Sequence, residues 1–93
     1  KTTKVTMTFD EYIHKARKYR LDGNYYEYLK TLLEIIQKLQ EKEKVNELLS
    51  LEQKLKGKMN EVGYKGINPT EQEMDWFWKE VTNYTSMYGN NGK

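Results

Sequence analysis

Residues 16–29 read ARKYRLDGNYYEYL, a charged run dotted with aromatic rings that stops at Asp22-Gly23-Asn24 and restarts in the same style. Upstream, Thr8-Phe9-Asp10-Glu11 has the form of a capping box, in which the threonine hydroxyl accepts from the third helical N–H and the glutamate reaches back to the cap. Phe9, Tyr12, Ile13, Ala16, Tyr19 and Arg20 then recur at spacings of three and four, the period of an amphipathic helix. Gly23 takes the left-handed conformation that ends a helix without a Cβ clash. Asn24 opens a second helix, with Glu27 three positions on. Stop and start signals side by side predict two helices and a tight reversal.

The second helix carries Tyr25, Tyr28, Leu29, Leu32, Leu33, Ile36 and Leu39 as a broad apolar stripe. Beyond it, Glu41-Lys42-Glu43-Lys44 contains neither glycine nor proline, so one helix from 25 to 62, about 57 Å long, is conceivable. The phase of the apolar residues argues otherwise. At 100° per residue, the stripe through Leu29 and Leu39 and the stripe through Leu48, Leu51, Leu55, Met59 and Val62 lie about 140° apart. A single core cannot meet both faces of one straight rod, so a break is expected near 41–46. Gly63 is expected to end the third helix, and Tyr64-Lys65-Gly66-Ile67 to form a loop. Asn68-Pro69-Thr70-Glu71 reads as a start signal, with Asn68 as the cap and Pro69 at the first helical position. Met74, Phe77, Trp78, Val81 and Tyr84 follow as an aromatic stripe.

These signals predict an all-α fold: one domain over 1–93, a small antiparallel bundle of three to four helices near 8–22, 24–41, 45–62 and 69–87, with short loops. The ends, 1–7 and 89–93, are expected to be flexible. The predicted core includes Tyr12, Ala16, Leu29, Leu32, Ile36, Leu48, Leu55, Phe77, Trp78 and Val81. A chain of this length buries only about 60–65% of the surface its unfolded form exposes, so the core is thin and a homodimer is a further expectation.

The pattern Tyr12, Ala16, Tyr19, Gly23-Asn24-Tyr25, Glu27, Leu32 resembles a tetratricopeptide-type helical hairpin over residues 12–40. It departs from that family at Tyr28 and Ile35, where small residues are usual, and at Gln40, where a proline closes the repeat. Repeat arrays need several units to bury their faces. The chain is therefore more similar to a three-helix domain of the microtubule-interacting-and-transport type, which has a comparable turn. That resemblance implies a surface groove holding a short helix of a partner protein.

Composition narrows the chemistry. There is no cysteine, so neither disulfides nor thiolate metal sites arise. The net charge of +2 does not by itself imply a polyanionic partner. Lysine, asparagine and tyrosine, which have AT-rich codons, are abundant, and alanine, proline and arginine are scarce, the bias of an AT-rich genome: a low-GC bacterium, or a phage or mobile element within one. No apolar run reaches the roughly 18 residues needed to cross a bilayer, and KTTKVTMTF is not a signal-peptide start, so a cytoplasmic location without membrane contact is expected.

Glu11 and His14 make half of a di-iron helical motif, but His14 is the single histidine, so no metal site is expected. Neither a catalytic triad nor a glycine-rich phosphate loop can be assembled. Glu41 with Glu43 and Glu71 with Glu73 sit in charged runs of the solvated kind. The chain is read as a non-enzyme without cofactor.

Two surfaces remain. Tyr26 and Trp76 fall off the core stripes, and exposed Tyr and Trp are favoured anchors of protein interfaces. With Glu73, Asp75 and Glu80 around Trp76, they predict an acidic aromatic face for a larger host or phage protein, the chain being an adaptor or inhibitor. Partner-binding residues are thus Tyr26, Glu73, Trp76 and Glu80. The alternative is nucleic-acid binding through His14, Lys15, Arg17, Lys18 and Arg20, which cover the outer face of the first helix. A competing expectation is a solvated basic face paired with acids on a neighbour. Bacteriocin immunity proteins are also small basic helical bundles.

Overall fold

The computed structural model describes residues 9–42 and 44–89. Four helices follow one another: α1 (Phe9–Asp22), α2 (Tyr25–Lys42), α3 (Asn46–Asn60) and α4 (Glu71–Tyr84). α3 runs on into a π-helical turn, Glu61–Lys65, and α4 into another, Thr85–Gly89. The fold is all-α, and no strand occurs among the described residues. Thr8 and the expected flexible ends, apart from Gly89, lie outside those residues.

Both predicted reversals are present. Gly23 has φ 84°, and the Asn24 N–H donates to the Tyr19 carbonyl at 2.9 Å while the Asn24 carbonyl already accepts from Tyr28. Between α2 and α3, Val45 is extended at φ −118° and ψ 150°, so the helical path is broken there. The apolar phase, rather than any glycine or proline, marks this turn.

α2 is the hub. It packs against α1, α3, α4 and both π-helical turns. Tyr28, Leu29, Leu32, Ile35, Ile36 and Leu39 have no exposure at all. Each such side chain contributes about 1.5–3 kcal/mol relative to staying in water. α1 and α3 flank α2, and α4 lies across α2 between them, giving a slab of 39 × 33 × 19 Å that is two helices thick. Tyr12 and Trp78, expected in the core, are half-buried against it. The Tyr28 hydroxyl donates to the Met74 carbonyl at 2.9 Å and its ring stacks on Trp78, with centroids 6.4 Å apart. Tyr28, one of the residues that depart from the tetratricopeptide pattern, therefore fastens α4 to the hub.

Two boundary expectations are corrected. Gly63 does not end α3: it lies within the π-helical turn, and the chain leaves the helix at Gly66, φ 70°, where the Ile67 N–H bonds back to the Glu61 carbonyl. Gly63 instead admits the Tyr26 ring, since a Cβ there would come within 3.3 Å of Tyr26 Cε1. The expected loop thus begins only after Tyr64 and Lys65. Nor does Asn68 cap α4 with Pro69 as its first residue. Thr70 is the cap: its side chain accepts from the Glu73 N–H at 3.1 Å, and Glu73 accepts from the Thr70 N–H at 2.9 Å. Pro69 is buried just outside the helix. Both candidate caps have a glutamate three positions on, and the helix takes the one that leaves Pro69 free to pack. Thr70→Ala is expected to cost about 1 kcal/mol, read as a lower thermal midpoint, whereas Asn68→Ala should leave it nearly unchanged.

Candidate functional site: the groove between α3 and α4

α3 buries Leu48, Leu51 and Leu55. At 100° per residue, Lys54, Lys58 and Glu61 fall on the flank beside α4, and Gly57 points to solvent. On α4, Met74, Phe77 and Val81 face the core, while Glu73 and Trp76 lie on the α3 side and Glu71 and Asp75 on the α1 side. The two helices thus enclose a groove of 440 Å³, lined by Lys54, Gly57, Lys58, Glu61, Gln72, Glu73, Trp76 and Phe77.

Trp76 is the exposed large hydrophobic side chain of this groove, with 42% of the residue open to solvent. Its ring meets Phe77 edge-on, with centroids 5.1 Å apart, and Lys54 Nζ stands 5.0 Å from the ring centroid. A cation held over an indole face gains about 0.5–1 kcal/mol at such a site. A second lysine spans the groove: Lys58 Nζ lies 2.7 Å from Glu73 Oε2 and 3.1 Å from Glu61 Oε1. The Glu73 contact holds the Lys58 ammonium above its ordinary pKa. Reciprocally, Lys58 first and the Thr70 N–H second hold the Glu73 carboxyl below its ordinary value. The groove is thus apolar within, strapped by lysines, and of mixed charge.

This corrects the expectation of an acidic face. Glu73 is neutralised by Lys58, Asp75 pairs with Arg20 across α4's other flank at 2.9 Å, and Lys54 brings a positive charge onto Trp76. Of the predicted partner-binding residues, Trp76 and Glu73 line one groove. Glu80 lies two turns beyond Glu73 on α4, outside the lining, where its charge helps burial raise the Tyr84 pKa. Tyr26 is also 42% exposed, but its ring lies against Gly63, on the α2 side of α3. The structure does not bring Tyr26 and Trp76 together.

His14, Lys15, Arg17 and Lys18 are exposed on α1, as a nucleic-acid surface requires. Arg20 is not free for that role. It is half-buried, bonded to Asp75, and its guanidinium lies beside the Tyr28 hydroxyl. Arg17 and Arg20 line a second groove of 580 Å³ between α1 and α4, whose opposite wall is acidic, with Glu71 and Asp75. The basic face therefore meets acids at its C-terminal end.

The chain matches no family model, no curated protein and no solved structure. Its function has to be argued from its own surfaces. Among the described residues, no group of three or more His, Cys, Asp or Glu side chains could hold a metal ion, and no helix is long and apolar enough to cross a membrane. Sequence reasoning missed Lys54, Gly57 and Lys58. The available signal was a glycine inside a helix, flanked by lysines at i−3 and i+1.

Proposed function

We propose that this chain is a non-catalytic protein-binding module, an adaptor or inhibitor that occupies a surface of a larger protein through the groove between α3 and α4. The observation that carries the reading is Trp76: a large ring left 42% exposed at the wall of an apolar groove. Tryptophan in such a position is the residue type that most often dominates an interface when it becomes desolvated. Lys54 and Lys58 suit the rim, where their methylene stems cover apolar surface and their charges orient a partner. The resemblance of residues 12–40 to helical hairpins that grip partner segments supports the same reading. The AT-rich composition directs the choice of partner to a cytoplasmic protein of a low-GC bacterium, with the chain itself encoded by that host or by a phage or mobile element.

Co-purification from such a lysate followed by mass spectrometry supplies the partner. Its affinity is then measured with purified protein. Trp76→Ala is expected to weaken binding about 30-fold or more while circular dichroism shows the fold intact. Equal binding by the variant removes the groove from the interface. The nucleic-acid reading rests on the exposed His14, Lys15, Arg17 and Lys18, and gel shifts at two salt concentrations with Arg17→Glu address it. Salt-sensitive binding of duplex DNA that Arg17→Glu abolishes would replace the present proposal.

A further inference from the structure

α4 is fastened to each of the other three helices. Asp75 pairs with Arg20 on α1, the Met74 carbonyl accepts from Tyr28 on α2, and Glu73 pairs with Lys58 on α3. Met74, Phe77 and Val81 are buried in the same seat. None of these contacts requires α4 and its seat to belong to one chain. A second copy carries an identical α4 and an identical seat, so an exchanged α4 keeps every one of them. Exchange of a whole element is a low-cost route to a dimer.

The connection between α3 and α4 decides between the closed and the exchanged form. After the π-helical turn Glu61–Lys65, residues 66–70 lead into α4. Residues 66–68 are exposed, and the bonds that shape the turn are local: the Gly66 and Ile67 N–H groups both donate to the Glu61 carbonyl. The turn closes with Gly66 at φ 70°, a conformation held for the sake of the reversal. Short hinges under such constraint favour exchange. The hinge is also flanked by apolar surface that the closed chain leaves in water, with Tyr64 88% and Ile67 52% exposed. When α4 is exchanged, the two hinges cross at the two-fold axis. Tyr64 and Ile67 of one chain then meet those of the other, an isologous contact that the closed chain lacks.

We infer that α4 is exchanged between two copies of this chain, each α4 seated on the body formed by α1, α2 and α3 of its partner, with residues 66–68 opening as the hinge. The groove that holds Trp76 is then walled by α3 of one chain and α4 of the other, and each dimer displays two such grooves. Its lining is the same in both forms, so this inference stands or falls independently of what binds there.

Refolding from urea at rising protein concentration, followed by sedimentation equilibrium, tests it. The wild-type protein is expected to approach twice the 11.2 kDa chain mass. Gly66→Val meets no atom within 4 Å, so it acts on the turn alone, and it penalises the positive φ of the closed form. It is expected to raise the dimerisation constant at least about tenfold with the circular dichroism unchanged. A charge swap then separates exchange from ordinary surface packing. Lys58→Glu and Glu73→Lys each place like charges across the seam between α3 and α4. In an exchanged dimer of one variant with the other, the new glutamate faces the new lysine in one half, and Lys58 faces Glu73 in the other half. With one chain isotopically labelled, native mass spectrometry of the co-refolded pair is expected to show the mixed dimer outnumbering the two homodimers about tenfold. A dimer built by surface packing keeps each seam within its own chain and gives the statistical half, which overturns the inference. So does a wild-type chain that stays monomeric at every soluble concentration, or a dimer that Gly66→Val fails to strengthen. A strictly monomeric chain that still captures a larger partner through Trp76 would leave the protein-binding proposal standing and sink this one.

Discussion

Replacing Tyr28 by alanine is expected to lower the stability of this protein by about 3–5 kcal/mol, a large part of the roughly 5–10 kcal/mol available to a domain of this size. The ring has no exposure, stacks on Trp78 and carries the hydroxyl that bonds to the Met74 carbonyl. Truncation empties the space between α2 and α4 and removes the hydrogen bond from Tyr28 to Met74. Urea denaturation followed by circular dichroism measures the loss. Tyr28→Phe separates the hydroxyl from the ring and should cost only about 1 kcal/mol.

The two variants also differ in pH dependence. Burial pushes the Tyr28 hydroxyl up to about 12 from its ordinary 10.0, against the opposing pull of the Arg20 guanidinium. An unfolded chain gives up this proton near pH 10, whereas the folded chain holds it until near 12. The resulting stability is therefore complete below pH 10 and falls away as pH rises toward 12. Tyr28→Phe has no such proton, so its urea midpoint should decline less steeply above pH 10. Parallel declines would place the hydroxyl in contact with water and remove it from the seam between α2 and α4.

The second large effect concerns the reversal between α2 and α3. Lys38→Pro is expected to cost about 3 kcal/mol or more, because Lys38 lies well inside α2, where proline deletes a backbone hydrogen bond and clashes with the preceding turn. Asn46→Pro should be neutral or slightly stabilising. Asn46 is the first residue of α3, where the N–H has no helical partner, and Val45 before it already holds the extended conformation that a following proline demands. Denaturation midpoints of the two variants decide the matter. If Asn46→Pro proved as damaging as Lys38→Pro, the chain would run as one rod through this region.

How far the sequence discloses this fold depends on what each signal measures. Periodicity reports burial, and it placed the four helices and the break near 41–46, because a change of apolar phase is a change of direction whatever the turn residues are. Glycine and cap signals are more ambiguous. Gly63 and Gly66 look alike in the sequence, yet one makes room for the Tyr26 ring and the other supplies a positive φ. Asn68 and Thr70 are both competent caps, and tertiary packing of Pro69 selects between them. The candidate groove was half legible. Trp76 could be recognised because its position is out of phase with the core. The lysines that share its groove could not, since Lys54 and Lys58 are distant from it in the chain and resemble any solvated lysine until the fold brings α3 beside α4. The partner of Arg20 was hidden for the same reason: a basic face paired with acids on a neighbour was one expectation, but the particular acid, Asp75, lies on another helix.

The central position of α2 also orders the way the chain can assemble. Its contacts with α1 and α3 join neighbours in sequence and close after short loops, but the bond from Tyr28 to Met74 spans 46 residues. A chain emerging from the ribosome can therefore form its first three helices early, with one long oily flank of the second still bare. Only arrival of the final helix covers it. Until then the nascent protein is vulnerable to clumping with its neighbours, and α4 with the turn that follows it acts as the lid on the interior.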